Sequence, residues 1–290
     1  MDETRVRASY SRYMRLKNRS EETIDLYDRV WRQFRASCSS PLEDITRDDV
    51  EVFLDARRAS VAATTVQRDW ACLHPFFAWA VKEEYLDRNP MRLIPMPGVQ
   101  DVPPRVLSND ELARLFRATQ GNGYRLCRNH AVLRLMSEVG GPRRSEICNL
   151  KVDDVDWGAS LITVTGKTGT RRIVFGDRTG AALERFMKVR DRMPWAGTEW
   201  LWLGKDAMSH GALAYILKST CVRAGIEPIS AKILRHTAAH RAMDSKGMST
   251  TDLQIAFGWK TAHMLGVYGR QLKEARSQKA ARILSLGDEF

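Results

Sequence analysis

The sequence has few cysteines and no pattern among them that would build a framework. Its 290 residues include five cysteines, an odd number, and no two of them form a C-x-x-C pair. Disulfide-rich and structural-zinc proteins need closely spaced pairs. We therefore expect five reduced thiols, at Cys38, Cys72, Cys127, Cys148 and Cys221.

Long apolar runs are also missing. A membrane-spanning helix needs roughly 18 or more apolar residues, and no run in the sequence approaches that length. The first residues carry charges where a secretory signal would be apolar. We therefore expect a cytoplasmic protein without a membrane partner.

The sequence lacks the clusters that hold catalytic metals or nucleotides. No acidic group resembles a two-metal site, and His236 and His240 have helical metal-ligand spacing but neither the glutamate of H-E-x-x-H nor a third ligand. Packing or a DNA contact explains them more simply. Gly166-Lys167-Thr168 resembles a P-loop, but Leu161 stands where that motif needs a glycine. We expect no metal and no other cofactor.

Positive charge, in contrast, is abundant. Lysine and arginine number 46 against 35 acidic residues, a formal charge of +11. Basic surfaces bind polyanions by releasing counterions from a phosphate backbone. A merely solvated basic surface would have the same composition, so the motifs have to decide.

Helical patterns fill the first third of the chain. Helix starts are indicated at Ser20, Thr46 and Thr64, each followed by apolar residues at helical spacing, with a kink expected at Pro75. Residues 95–104 then carry four prolines and a glycine with almost no periodicity, as a linker does. We predict a helical domain at residues 1–94, a linker at 95–107 and a second domain at 108–290.

The second domain combines helices with one hairpin. Ser108 and Glu111 form a capping box, and a helix is expected over residues 126–139. Two β-branched runs, 160–165 and 171–175, flank a glycine-containing turn with Lys167 at its tip. The fold class is therefore mainly α with a small β-sheet, an α+β arrangement.

Several basic residues stand at helix starts and on helix faces. Glu146 follows Arg143 by one helical turn and can pair with it, although an ordinary surface ion pair would look the same. Lys232 and Arg235 are three apart in a helix capped by Ser230, so they share a face. Such cations suit an anion such as a phosphate.

The order of six residues resembles the signature of the tyrosine recombinase (phage integrase) family. That signature has an arginine in a G-L-R-x-S-E box, a hairpin lysine, H-x-x-R, a histidine or tryptophan, and a nucleophilic tyrosine nine residues later. The N-terminal helices also resemble the family's core-binding domain. The matching positions are Arg143, Lys167, Lys232, Arg235, Trp259 and Tyr268.

This resemblance implies a mechanism. Tyr268 would attack the scissile phosphate and form a 3′-phosphotyrosyl link, Arg143 and Arg235 would bind the non-bridging oxygens, and Lys167 would protonate the leaving 5′-oxygen. Lys232 and Trp259 would complete the cradle. The pattern departs from the family at Lys232, where histidine is usual, and at Pro142, where leucine is usual. The Lys232 side chain can accept a proton only as the neutral amine and not as the ammonium ion. Whether Lys232 takes the tyrosine proton therefore stays open.

The resemblance also implies an assembly. We expect a compact integrase without an arm-binding domain, whose core-binding and catalytic domains close as a C-shaped clamp on double-stranded DNA with paired half-sites. Four protomers would act together, with a tail helix at residues 270–286 docked on its own domain or on a neighbour; an accessory factor is left open. Two alternatives remain: a type IB topoisomerase-like enzyme, and a catalytically silent DNA-binding relative, which the substitution at Lys232 keeps open.

Overall fold

A computed structural model of the chain describes residues 2–100, 104–167, 169–202, 206–244, 248–261, 277–278 and 281–282. The chain divides into two compact units, Met1–Asp101 and Val102–Phe290. The division falls within the segment predicted to be a linker. Among the described helices, none is both long enough and apolar enough to cross a membrane.

The first unit is a four-helix arrangement. Its helices are α1 (Glu3–Leu16), α2 (Glu21–Ser37), α3 (Arg47–Ser60) and α4 (Ala63–Lys82). The helix starts predicted near Ser20, Thr46 and Thr64 are confirmed, and α4 continues through Pro75. The Ser20 hydroxyl, however, lies 3.0 Å from the Thr23 hydroxyl and does not cap the backbone.

Helix α1 is the helix of this unit that the sequence interpretation missed. Only Val6, Tyr10 and Met14 of its residues are buried, at intervals of four, and most of the rest are polar or charged. That narrow apolar stripe packs into a core of aromatic rings, in which Tyr10 meets Phe76 edge-on at 5.2 Å between ring centroids. Phe76 and Phe77 of α4 are buried in this core, and Trp70 packs against it partly buried.

The second unit contains seven described helices and a small antiparallel sheet. The helices are α5 (Asn109–Ala118), α6 (Tyr124–Met136), α7 (Arg144–Cys148), α8 (Asp177–Arg190), α9 (His210–Ala224), α10 (Ala231–Asp244) and α11 (Thr250–Phe257), and the strands are β1 (Val155–Asp156), β2 (Leu161–Gly166) and β3 (Gly169–Val174). The strands pair in the order β1-β2-β3. The prediction of a mainly helical fold with a small sheet is confirmed, and β1 is a strand that was not foreseen.

The core of this unit lies between the sheet and the helices around it. Ile162 pairs with Ile173, and both are buried on the inner face of the hairpin. The Trp202 indole N–H donates to the Ile147 carbonyl at 2.6 Å, which satisfies the polar atom of a fully buried ring. All five cysteines are buried and free.

Two backbone segments meet beside this core and form the floor of the candidate site. Gly140 has φ +80° after the end of α6, and a Cβ there would lie 2.5 Å from the Ala256 carbonyl oxygen, so the close approach requires glycine. α11 ends at Gly258 in the left-handed conformation with φ +59°. We refer to residues 140–141 and 256–258 as the carbonyl floor.

Candidate active site

Arg143 lies at the start of α7 and reaches across to the carbonyl floor. Its Nη1 donates to Glu146 Oε1 at 2.7 Å, and its Nη2 donates to the Gly258 carbonyl at 2.7 Å and the Phe257 carbonyl at 3.4 Å. The side chain is 28% exposed. These contacts fix the guanidinium, while part of the side chain stays exposed to solvent. The predicted pairing with Glu146 is confirmed, and it is no surface ion pair, because the Glu146 side chain is fully buried.

Glu146 is the buried anion around which this site is built. Besides the Arg143 guanidinium, its carboxylate accepts the Arg143 backbone N–H at 2.7 Å and Arg171 Nη1 at 2.7 Å. Burial of this carboxyl raises its pKa, but hydrogen bonds from Arg171 and from the Arg143 backbone outweigh that effect and leave the pKa below its ordinary value. The carboxylate is therefore ionised at neutral pH and holds both cations.

Arg235 approaches the carbonyl floor from α10. Its guanidinium donates to the carbonyls of Gly141 and Phe257, and its Cζ lies 5.1 Å from the centroid of the Phe257 ring. The residue is buried. Arg143 and Arg235 thus donate to the same Phe257 oxygen although they are 92 positions apart in sequence. The structure brings these two predicted residues together.

Arg171 is a site residue that the sequence interpretation missed. It lies on β3 opposite Val164, and donates to Glu146, to the Ala256 carbonyl at 3.1 Å and to the Gly140 carbonyl at 2.8 Å. The available signal was strand alternation: Arg171 shares a face with the buried Ile173, and a cation on the inner face of a strand needs an anion or carbonyl partner.

Lys167 and Lys232, the two predicted lysines, are both exposed. Lys167 lies in the hairpin turn directly after Gly166, and a Cβ on Gly166 would lie 2.8 Å from Glu146 Oε1. The turn therefore starts against the buried carboxylate. Lys232 lies on the outer part of α10, whereas Arg235 points inward, so the face that they were predicted to share is divided between solvent and core.

Trp259 follows the end of α11 and stacks on Phe257, with 4.8 Å between ring centroids and 17° between planes. The Phe257 ring also contacts the Arg235 guanidinium. Trp259 is thus held beside the carbonyl floor. The predicted nucleophile, Tyr268, lies outside the described residues, as does nearly all of the predicted tail at 270–286, of which 277–278 and 281–282 are helical.

His236 is packed inside the unit beside Lys232 and Arg235 of α10. Burial, and then the charges of Lys232 and Arg235, lowers its pKa to about 4. The imidazole is therefore neutral at pH 7, which agrees with packing rather than a phosphate contact. Within the part of the chain that the structure describes, no three histidine, cysteine or acidic side chains lie close enough to hold a metal ion.

Both units of the chain match models of known protein families. The model of the phage integrase family matches residues 105–275, and the model of the N-terminal SAM-like domain of phage integrases matches residues 8–84. The chain belongs to the phage integrase family. The predicted family is therefore confirmed across both units.

Two curated relatives of this integrase-family chain cover nearly its whole length. Tyrosine recombinase XerC of Anoxybacillus flavithermus is 26% identical over 274 residues, which are 89% of this chain and 90% of that protein. Tyrosine recombinase XerD of Ralstonia nicotianae is 26% identical over 267 residues, 88% of this chain and 85% of the relative.

Solved structures of integrase-family proteins share the fold. The XerH site-specific recombinase bound to a palindromic difH substrate matches with a TM-score of 0.76 and 18% identity, covering 91% of this chain and 81% of that one. A lambda integrase fragment, residues 75–356, bound as a dimer to a COC′ core site, matches with a TM-score of 0.73 and 18% identity, covering 92% and 95%. At this identity the likeness concerns the fold.

Proposed function

We propose that the chain is a site-specific DNA recombinase that cuts and rejoins strands through a covalent phosphotyrosyl intermediate. The observation that carries this proposal is the convergence of Arg143 and Arg235 on one carbonyl oxygen beside the buried Glu146. Two guanidinium groups fixed in this way can bind the two non-bridging oxygens of one phosphate. The family's relatives named as tyrosine recombinases support the same reaction.

The charge balance of the site favours an incoming anion. Arg143 and Arg171 donate to the buried Glu146 carboxylate, and Arg235 donates to the carbonyl floor beside it, so three guanidinium groups stand against one carboxylate. A phosphodiester would offset part of the surplus positive charge. Negative charge builds up in the pentacoordinate transition state. The pre-oriented donors would stabilise this transition state more strongly than the ground state, which is how fixed dipoles and cations accelerate a reaction.

The remaining roles follow the family pattern. Tyr268 is the nucleophile, and storing the phosphodiester energy in its ester lets the strand be rejoined without ATP. Lys167 acts as general acid for the leaving 5′-oxygen, a role that contributes about 10²–10⁴ in rate. Lys232 and Trp259 complete the phosphate cradle, with the exposed Lys232 free to approach a bound strand. No metal or other cofactor takes part.

The assembly is part of the proposal. Residues 1–94 form the helical core-binding domain, residues 95–107 the linker and residues 108–290 the catalytic domain, and the two domains close around duplex DNA. The DNA-bound complexes of XerH and lambda integrase support duplex DNA as the partner. Four protomers act on paired half-sites in the cytoplasm, with the tail helix docked on its own domain or on a neighbour.

A nicked duplex tests the proposal. When the nick lies next to the scissile phosphate, the short cleaved strand diffuses away and the covalent protein–DNA adduct accumulates. We expect an adduct with the wild type and none with Tyr268→Phe. An adduct formed by Tyr268→Phe, or none formed by the wild type on DNA that it binds, would contradict the assignment.

Plasmid substrates separate recombination from relaxation. On a plasmid with two target sites, a recombinase deletes or inverts the segment between them, whereas a topoisomerase-like enzyme changes only the linking number. We expect recombinant products that require both sites. Relaxation alone would favour the topoisomerase alternative.

A further inference from the structure

Arg171 joins the hairpin to the buried carboxylate and to the carbonyl floor. Its guanidinium bonds the buried Glu146 and both segments of the carbonyl floor, and its side chain is only 11% exposed. The three bonds leave from Nε, Nη1 and Nη2, so the orientation of the whole planar group is determined. None of the family motifs that identified the chain includes this position.

The position of Arg171 on the hairpin connects these bonds to Lys167. Two residue pairs, Thr165 with Thr170 and Gly166 with Gly169, separate Arg171 from the turn that carries Lys167. A two-stranded tip has little stability of its own, so its direction depends on the nearest residue pair that anchors it, which is Arg171 with the buried Val164. The Thr165 and Thr170 hydroxyls, 3.0 Å apart, bond only across the tip.

The distance from Arg171 to the turn determines how far the turn would move if the contacts of Arg171 were lost. Two strand residues span about 7 Å, at about 3.4 Å per residue. A tilt of about 10° at Arg171 would therefore move the turn by about 1 Å, a displacement that can cost about 10²-fold in rate when it affects a catalytic group.

We propose that Arg171 is a positioning residue for the general acid, which fixes Lys167 relative to Arg143 and Arg235. This inference rests on the proposed function. Arg171 itself does not touch the DNA, because Nε, Nη1 and Nη2 all donate to Glu146 or the carbonyl floor and its side chain is 11% exposed, against 28% for Arg143. We expect its effect to pass mainly through Lys167, because Arg143 keeps its own bonds to Glu146 and to the Phe257 and Gly258 carbonyls.

The cleavage step shows how this effect can be isolated. The Tyr268 oxygen bonds to phosphorus, the bond from phosphorus to the 5′-oxygen breaks, the tyrosine proton passes to water, and Lys167 gives a proton to the 5′-oxygen and regains one from water. If sulfur replaces the bridging 5′-oxygen, it leaves as a thiolate, because thiols have a pKa near 8.5 and need no protonation. The sulfur substrate therefore bypasses Lys167.

The test compares single-turnover adduct formation on oxygen and sulfur substrates at saturating DNA. We expect Arg171→Gln to react about 10²-fold more slowly than wild type on oxygen, but within about threefold of it on sulfur, with DNA half-saturation changed less than about twofold. Arg171→Lys, which keeps the charge and a single donor to Glu146, should lose less on oxygen and again nothing on sulfur. Lys167→Ala lacks the general acid altogether. Its rates on the oxygen and sulfur substrates therefore show the largest difference that loss of the general acid can cause.

Arg190 provides a matched control. It is also a buried arginine that donates to backbone carbonyls, those of Ala196, Thr198, Trp200 and Leu201, but none of its partners belongs to the hairpin or the carbonyl floor. We expect Arg190→Gln to lower the amount of folded protein, which slows both reactions equally. Its ratio of sulfur to oxygen rates should equal that of the wild type.

The outcomes separate this inference from the function on which it rests. Equal losses of Arg171→Gln on both substrates, or no loss on oxygen, would overturn the positioning role; if that variant does not fold, the same comparison with Arg171→Lys decides. Absence of any wild-type adduct would instead overturn the proposed function. A Lys167→Ala defect that sulfur does not relieve would remove the general acid and the inference with it.

Discussion

Replacing Glu146 by glutamine removes the buried negative charge that holds Arg143 and Arg171, while keeping the shape of the side chain. In the wild type this carboxylate accepts from Arg143 and Arg171 at 2.7 Å each, and it has no exposed side-chain surface. Glutamine can accept one of these bonds but would direct its NH₂ group at a guanidinium. The two arginines would then repel each other without a counter-charge.

The loss of unfolding free energy depends on how much hydration Arg143 and Arg171 can recover. Removing one partner of a buried ion pair costs about 3–5 kcal/mol, because the other charge stays buried. Arg171 is 11% exposed and cannot escape, whereas Arg143 is 28% exposed and can recover part of its hydration. We therefore expect Glu146→Gln to lower the free energy of unfolding of the second unit by about 3 kcal/mol, at the lower end of that range.

Hydrogen-exchange mass spectrometry at neutral pH measures this change, because it reports on the second unit separately. Exchange of the amides in α6 and in the hairpin should accelerate about 10²-fold, the equivalent of about 3 kcal/mol. The matched control is Asp110→Asn, which breaks the exposed pair between Asp110 and Arg114 at 2.9 Å in the same unit. Asp110→Asn should lower the free energy of unfolding by less than about 1 kcal/mol.

The pH dependence supplies the refuting result. The pKa of Glu146 is depressed in the folded state, so its contribution is present above the unfolded value near 4.5 and is lost as pH falls through the folded value. The stability difference between wild type and Glu146→Gln should therefore shrink in acid. Equal stability at pH 7, or a difference independent of pH down to acid unfolding, would refute the buried-anion account.

Three further predictions concern the hairpin, α10 and the first unit. Gly166→Ala places a Cβ 2.8 Å from Glu146 Oε1, so adduct formation should slow at least about tenfold while DNA binding changes little, as a rate against DNA concentration would show; an unchanged rate would refute the close approach. His236 has a pKa of about 4 when folded and 6.5 as its reference, so the unfolded state binds its proton first as pH falls and stability should drop by about 2 kcal/mol from pH 7.5 to 5. Urea unfolding of wild type and His236→Phe checks this, since the phenylalanine variant should lack that component. Asp69 is fully buried and accepts from Arg57 and Arg68 at 2.9 Å each, so Asp69→Asn should lower the free energy of unfolding of the first unit by about 3 kcal/mol. Amide exchange in α3 and α4 should be faster in this variant than in the control Glu51→Gln, which breaks the exposed pair with Arg47 at 2.7 Å.

The fold could be predicted where local periodicity determines it. Helix starts at Thr46 and Ser108 were correct because a capping side chain and the apolar repeat that follows it both lie within a few residues. Helix α1 was not predicted because only one residue per helical turn is buried in it, which leaves a weak apolar repeat. The end of α6 was placed three residues late, at Val139 instead of Met136, because the apolar pattern continues into the turn before Gly140.

The site could be predicted only as a set of residues, and its geometry required the fold. Arg143 and Arg235 were identified from their motifs, but their common acceptor, the Phe257 carbonyl, lies 114 and 22 positions away from them. Arg171 belongs to no motif, and its contact with Ala256 spans 85 positions. Contacts with backbone carbonyls leave no trace in residue type, because every residue has a carbonyl.

The measurement that tests the central claim most directly is the identification of the residue bonded to DNA. The wild-type protein would be incubated with the nicked duplex in excess chelator, the adduct digested with protease and nuclease, and the modified peptide sequenced by mass spectrometry. The account predicts a 3′-phosphonucleotide on Tyr268, formed as fast with chelator as without it. A nucleotide on any other residue, or an adduct that requires a divalent metal, would contradict it.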